Sequence, residues 1–358
     1  MEGRRRDVRA ASAVISTTQT PAPVAIGSTR FWSSARTRSI IWQIVAVAVV
    51  VGIIALVGLQ TATNLRARGI ASGFDFLGRA AGFEIARGPI EFSSRDTYAR
   101  ALVVGLLNTL RVSLTGIVLA TSLGVGLGMA RLSNVWIAST AARCYLEVIR
   151  NTPLLLQLLL WYALTQELPG PNDALNPLPG VFLCFRGLFF PSLLWHSGFP
   201  WISIEQPVLE GFGFRGGASL SPEFAALLVG LTTYTAAFIG EIVRGGVLAV
   251  DKGQREAASA LGLSRMQVLR LVLLPQALRV VIPPTTAQFL NLTKNSSLAV
   301  AIGYPDLISI TNTTLNQTGQ AIEAIALAMS VYLAISVSLS FAMNTYNAAI
   351  LARGGRSA

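Results

Sequence analysis

Charge is scarce in this sequence of 358 residues: Asp, Glu, Lys and Arg together make up 13%, about half the share usual in soluble domains. Acidic residues number 17 against 28 basic ones. One histidine, His196, and two cysteines, Cys144 and Cys184, are too few for a metal cage or a Cys/His catalytic centre. No GxxxxGK[ST] is present, so no P-loop of the chain's own binds ATP. Neither HExxH nor GxSxG occurs, which removes the common membrane-protease signatures. No catalytic residue, cofactor or metal is therefore expected.

What the chain has in excess is apolar sequence, with 52% hydrophobic residues and a mean hydropathy of +0.57. Apolar segments recur at 40–60, 101–130, 145–165, 222–243, 276–303 and 321–344. Each approaches or exceeds the ~20 residues that cross a bilayer as a helix. Residues 1–38, rich in Ser, Thr, Ala and Arg, read as a disordered basic tail, and their apolar run starts too late for a cleavable signal peptide. The net charge of +11 comes almost wholly from arginines that flank apolar segments. Lipid headgroups on the cytoplasmic side suit that placement better than nucleic acid.

Arginine placement sets the orientation. The N-terminal tail, the turn holding Arg131 and Arg143, the 244–279 loop and the C-terminus with Arg353 and Arg356 fall on one side of a six-span layout. By the positive-inside rule that side is the cytoplasm, which places both termini there. The 61–100 segment, assigned outside, departs from the rule with six arginines. The 166–220 loop opposes the basic side with Glu167, Asp173, Glu205 and Glu210 against Arg186 and Arg215. Within it the apolar run 180–195 fits two readings equally. One is a re-entrant or surface-lying segment anchored by Trp195 and Trp201; the other is a compact periplasmic subdomain.

The most informative stretch is 256–275, EAASALGLSRMQVLRLVLLP. Asp251 suits the cap of a short helix that Gly262 ends in a left-handed conformation. Ser264 then starts a second helix, and Gln267 completes a capping box. Pro275 is expected to limit that helix. Ala257, Ala258 and Ala260 are small enough for a partner to approach the backbone, and Arg255, Arg265 and Arg270 supply surface charge. Glu256, Ala257, Ala258, Gly262, Val272, Leu274 and Pro275 together resemble the EAA signature (EAA-x3-G-x9-I-x-LP) of the membrane subunits of bacterial ABC importers, with Val272 for the usual Ile. The resemblance implies that an ATPase pushes on this loop.

The likeness extends over 101–345. GLLNTLRVSL (105–114), YLEVIRNTPLLLQ (145–157), TTYTAAFIGEIVRGG (232–246) and LPQALRVVIPPTTAQFLNLTKNSSLA (274–299) resemble the polar amino-acid permeases of that family. Arg150-Asn151-Thr152-Pro153 stands where the family has Arg-Gly-Thr-Pro. The extra first span and the long outer loop are similar to one of the two membrane subunits of broad-specificity L-amino-acid permeases. That resemblance implies a type I importer core of five helices preceded by one more. It also implies an ABC ATPase dimer, a second permease subunit in a heterodimer, and a periplasmic amino-acid-binding protein as partners in the bacterial inner membrane.

Polar residues within the spans add a second candidate site. Gln288, Asn291 and Asn295 share one helix face, with Lys294 on its flank. A charge in hydrocarbon costs about 2.5 kcal/mol or more, so Lys294 should face a cavity or a partner. The stripe suits a path for a zwitterion; hydrogen bonding between helices accounts for the amides equally well. Glu241 with Arg244, and Arg143 with Glu147 and Arg150, have the spacing of local ion pairs.

The chain thus reads as an all-α integral membrane protein of about six transmembrane helices. Its expected parts are a tail (1–38), an extra span (39–60), a periplasmic segment (61–100), a transmembrane domain (101–345) and a cytoplasmic tail (346–358). The transmembrane domain holds a periplasmic insert (166–220) and a coupling loop (244–275). An ion-gradient-driven transporter would also explain Lys294 but not the loop, and a non-transporting scaffold would explain the loop but not Lys294.

Overall fold

The computed structural model describes residues 35–355 apart from 68, 70–71, 86–87, 196–201 and 212. The expected basic tail and the anchor Trp201 therefore lie almost wholly outside the described residues. Two compact units divide at Gly69. Among its described residues the first holds α1 (Ala35–Ala67), whose described apolar side chains are exposed apart from half-buried Ile41. At 1.5 Å per residue it is about 50 Å long, more than enough to cross a bilayer.

The second unit begins with a folded segment. Its short 3-10 turn Asp75–Gly78 buries Phe76 beside Ala81 and Tyr98, with Phe83 and Phe92 packed against them. Thr97 then caps α2 (Tyr98–Arg131) by accepting the Arg100 N–H. Tyr98 donates to Gln317 at 2.8 Å, and the Gly73 N–H donates to Glu323 at 3.0 Å. The polar 72–97 stretch is thus tied to helices more than 200 residues away in sequence.

Helix α3 (Trp136–Asn151) and α4 (Leu154–Gln166) replace the single span expected at 145–165. Thr152 is extended (φ −103°, ψ 132°), as a residue preceding a proline prefers, and Pro153 has no N–H to continue the ladder. Gln157 bridges the break by donating to the Ile149 and Thr152 carbonyls at 2.9 and 3.0 Å. With 13 residues, α4 is about 20 Å long and cannot cross a bilayer alone. Helix α5 (Pro222–Leu248) follows the insert, capped by Ser221. The loop helices α6 (Lys252–Ala260) and α7 (Arg265–Gln267) lead into α8 (Leu274–Asn295). A 3-10 turn (Ser296–Ile302), α9 (Leu307–Thr318) and α10 (Ala321–Gly355) complete the order. Among the described residues five helices are long and apolar enough to cross a membrane: Arg38–Asn64, Tyr98–Arg131, Pro222–Leu248, Arg265–Ile302 and Ala321–Ile350.

The core is the seam between α2 and α5. Ala120, Gly124 and Gly128 repeat every fourth residue along α2 and so present one narrow face. A Cβ on Gly124 would stand 2.7 Å from Ile239 Cβ, and one on Gly128 would stand 2.7 Å from the Gly240 carbonyl oxygen. Leu158, Leu227, Leu231, Ile239 and Leu292 join this cluster from α4, α5 and α8, all almost fully buried.

The insert between α4 and α5 adds a β subdomain to the helical plan. Strands β1 (Leu175–Leu178), β2 (Val181–Cys184), β3 (Gly187–Phe190) and β8 (Ala218–Leu220) form one antiparallel sheet in that order. Two hairpins complete it: β4 (Ser192–Trp195) with β5 (Ile202–Glu205), and β6 (Val208–Glu210) with β7 (Gly213–Arg215). The Phe214 ring stacks on Phe182 at 4.7 Å and lies tilted against Phe189 at 4.8 Å, joining hairpin to sheet. Of the two readings of 180–195, the compact subdomain describes these strands. The apolar run is short because each strand has only four residues to bury.

Candidate functional site

The orphan backbone groups of the 251–275 loop are answered locally. Asp251 accepts the Gly253 N–H at 2.6 Å at the start of α6. At the other end Gly262 (φ +80°) donates to the Ser259 carbonyl and Leu263 to that of Ala258, the paired bonds of a Schellman cap. The predicted capping box is present: Ser264 N–H donates to Gln267 Oε1 at 2.8 Å, and Gln267 N–H to Ser264 Oγ at 3.4 Å.

Two expectations about this loop need correcting. Pro275 does not end the second helix. A π-helical turn (Val268–Leu273) widens the ladder ahead of it, and the helix runs on through Pro275 into α8. Ala258 does not face a partner either: it is buried, as is Val268, where α6 packs on the π turn. Ala257 and Glu256 remain exposed, and Leu274 sits half-exposed at the joint with α8. The tip presents Leu261, 82% exposed, and Met266, 55% exposed. Beside it a groove of about 560 Å³ is lined by Arg255, Glu256, Ser259 and Arg265. The loop is pinned to the bundle where Gly246 of α5 meets Val281 of α8, so closely that a Cβ on Gly246 would stand 2.2 Å from Val281 Cγ2.

The polar stripe lies far along the same helix. Asn291 and Lys294 are exposed, and Gln288 and Asn295 half-buried. Lys294 alone of the four lines a groove of about 510 Å³ between α8, α9 and α10, with Thr311, Asn312, Tyr332 and Ser336. That groove takes Lys294 and none of the three amides, and none of the four lines the groove beside the loop.

Ionic contacts are also redistributed. Glu241 accepts from Arg244 Nε at 3.1 Å, the expected local pair, and also from Arg131 at the end of α2. Arg150 lies over the Phe238 ring at 5.3 Å, and no salt bridge joins Arg143, Glu147 and Arg150 among the described residues. Cys144 is exposed, Cys184 is buried, and both are free thiols.

Sequence reasoning did not assemble two polar features of the fold. A cavity of about 710 Å³ gathers Asn108 and Arg111 of α2, Glu223 of α5, Tyr304 and Ser309. The signal was the interruption of the second apolar segment by Asn108 and Arg111. Behind it Asp306 is fully buried as the cap of α9, accepting the Ser309 N–H at 2.8 Å and the Tyr332 hydroxyl at 3.4 Å. Burial pushes its carboxyl up to about 7, against the partial relief of those hydrogen bonds.

The family described as "Binding-protein-dependent transport system inner membrane component" matches residues 120–353. A putative amino-acid ABC transporter permease protein of Escherichia coli, YhdX, is 45% identical over 366 residues, covering 87% of this chain and 93% of its own. The general L-amino acid transport system permease protein AapQ of Rhizobium johnstonii is 42% identical, with 87% and 92% covered. Among solved structures, an amino acid ABC transporter with histidines superposes with a TM-score of 0.50 at 24% identity, over 70% of this chain and 94% of that one. At that identity it speaks for the shared helical fold.

Proposed function

Because the chain belongs to the family of inner membrane components of binding-protein-dependent transport systems, we propose that its cargo is amino acids and that the 251–275 loop is where ATP hydrolysis is coupled to their import. The chain is a multi-pass permease subunit, and transport rather than catalysis is its role. Hydrolysis belongs to a separate ATPase dimer docked on the loop. A second permease subunit completes the path, and a periplasmic amino-acid-binding protein delivers the cargo. Both termini and the loop face the cytoplasm, in line with the arginine placement.

One observation carries the coupling role: the loop is capped at both helices yet exposes Leu261 and Met266 at its tip. A stiff element with an apolar tip transmits force; a mobile one would absorb it. The second arm of the loop continues without a break into α8, so displacement at Arg265 moves the spanning helix as one body. ATP-driven closure of the motor shifts the loop, the bundle opens outward to accept the amino acid, and hydrolysis returns it to the inward state. Differential docking of the loop in the two motor states is the free energy that drives the change.

Gln288, Asn291, Lys294 and Asn295 are assigned to the path on the same reading, since their side chains make no hydrogen bond among the described residues that would make them glue within the protomer. The test is uptake of a panel of labelled amino acids by a strain lacking this gene and by the complemented strain, with and without ATP depletion. Restored, ATP-dependent uptake of at least one amino acid is expected. Uptake that survives ATP depletion but collapses with the ion gradient would overturn the reading.

A further inference from the structure

The cavity around Arg111 carries both signs of charge. Arg111 comes from α2 and Glu223 from the first turn of α5, and Glu84 and Arg186 line the same cavity. Neither Arg111 nor Glu223 forms a salt bridge among the described residues. Both line the one cavity. The Arg111 guanidinium lies 4.6 Å over the ring of Phe224, the residue next to Glu223. Ser221 fixes that turn by accepting the Phe224 N–H at 3.2 Å.

The surroundings are built, not open loop. Asn108, 1% exposed, donates to the Pro305 carbonyl at 2.9 Å, and Tyr304 donates to the Asn108 carbonyl at 3.5 Å. The Tyr304 and Phe224 rings pack at 5.8 Å, so an aromatic floor underlies the cation. A second cavity of about 780 Å³ shares Ile85, Arg111 and Ser219 with the first and reaches Glu91 and Arg100. Arg111 stands where the two meet. The inner cavity, about 710 Å³, has the size of small-molecule sites.

A guanidinium and a carboxylate that face one cavity without pairing are matched by a ligand that brings one charge of each sign. We propose that this cavity is a receiving site for free α-amino acids, with Arg111 taking the α-carboxylate, Glu223 the α-ammonium, and Phe224 and Tyr304 the side chain. It is distinct from the stripe on α8 and lies beside the β insert, on the side opposite the coupling loop. The inference rests on the reading of the cargo as amino acids.

The test uses intact cells carrying the whole transporter. Exposed Cys144 is replaced by Ala, Cys184 stays as the buried control, and Ser309→Cys places a thiol in the cavity. An impermeant maleimide reads its accessibility from outside. L-Glutamine should slow labelling, while L-glutaminamide and N-acetyl-L-glutamine at the same concentration should not. Arg111→Gln or Glu223→Gln should raise the concentration needed for protection by about tenfold or more, the effect of losing one charged hydrogen-bond partner. Labelling without ligand should persist in both variants, showing that the cavity is still formed.

Thr313→Cys, one turn on in the same lining, repeats the experiment if Ser309→Cys disturbs the fold. Failure of both thiols to label in inserted protein would overturn the proposal, because the cavity would then be closed to the outside. Equal protection by the amide or the N-acetyl derivative would also overturn it. Labelled-glutamine uptake is measured in the same cells. Uptake without protection sinks the site alone, and absence of both sinks the cargo reading with it.

Discussion

At the α2–α5 seam a Cβ on Gly128 would stand 2.7 Å from the Gly240 carbonyl oxygen and 2.8 Å from Val243 Cβ; in the loop a Cβ on Gly262 would meet nothing within 4 Å. The first glycine is required by its neighbours and the second by its own backbone, at φ +80°. The seam is thus a place where two helices cannot separate or thicken without global cost. The loop is stiff within itself but leaves its outer face free. A transporter that is moved from outside needs this division: a body that does not yield and a handle that is not buried.

The largest effect should come from breaking the seam. Gly128→Val forces a side chain against a backbone carbonyl, and overpacking of that kind costs about 3 kcal/mol. The expected outcome is a sharp fall in membrane-inserted protein and in the melting temperature of the detergent-solubilised subunit. A normal melt would mean that the α2–α5 contact is looser than the structure has it.

Asp306 sharpens the comparison from inside the body. Its carboxyl is raised from 3.8 to about 7 by burial, so the folded state keeps a proton that the unfolded chain has lost. The stability this carboxyl contributes is therefore greatest at low pH, falls as pH rises from about 4 through 7, and levels off above. Melting of wild type and Asp306→Asn across that window checks this. The wild type should lose stability with rising pH, and the Asn variant should show a flatter profile.

Gly262→Val should cost less, about 1–2 kcal/mol of local strain, because nothing but its φ opposes a side chain. Insertion should be retained while ATP-dependent uptake falls, since the tilt of the second loop helix changes. Gly262→Asn, which tolerates positive φ, should recover most of it. Equal uptake by Gly262→Val and wild type would show that the cap geometry is not needed for coupling.

Lys294→Met should change stability least, because it removes an exposed charge with no ion pair among the described residues. Insertion should be unchanged, with uptake per inserted protein reduced and further reduced in Lys294→Glu. Wild-type uptake in the Met variant would make Lys294 a headgroup anchor.

Legibility followed the range of the interactions. The caps at Asp251, Gly262, Ser264 and Gln267 close within a few residues, so their spacing alone predicts them. Pro275 misled because a π turn upstream re-satisfies the ladder, and nothing in VLRLVL announces that turn. The break at Thr152-Pro153 was present in the residues, yet continuous hydropathy across it suggested one span. The β insert was hidden in an apolar run whose strands are shorter than any period that would reveal them. The Arg111 cavity draws on segments as distant as Ile85 and Thr313, so only the interruption of the second apolar segment by Asn108 and Arg111 pointed to it.

The claim on which the account turns is that an ATPase grips the tip of the 251–275 loop, and Leu261→Cys in a Cys144→Ala background tests it most directly. With the transporter complex in its native membrane, a short bifunctional thiol–amine cross-linker should join the introduced thiol to the ATPase subunit, and ATP should change the yield. A control thiol at Leu193, 75% exposed on the β insert, should give no such product. A loop thiol that never cross-links to the ATPase in a complex that still imports amino acids, or an ATPase captured from Leu193 instead, would contradict the account.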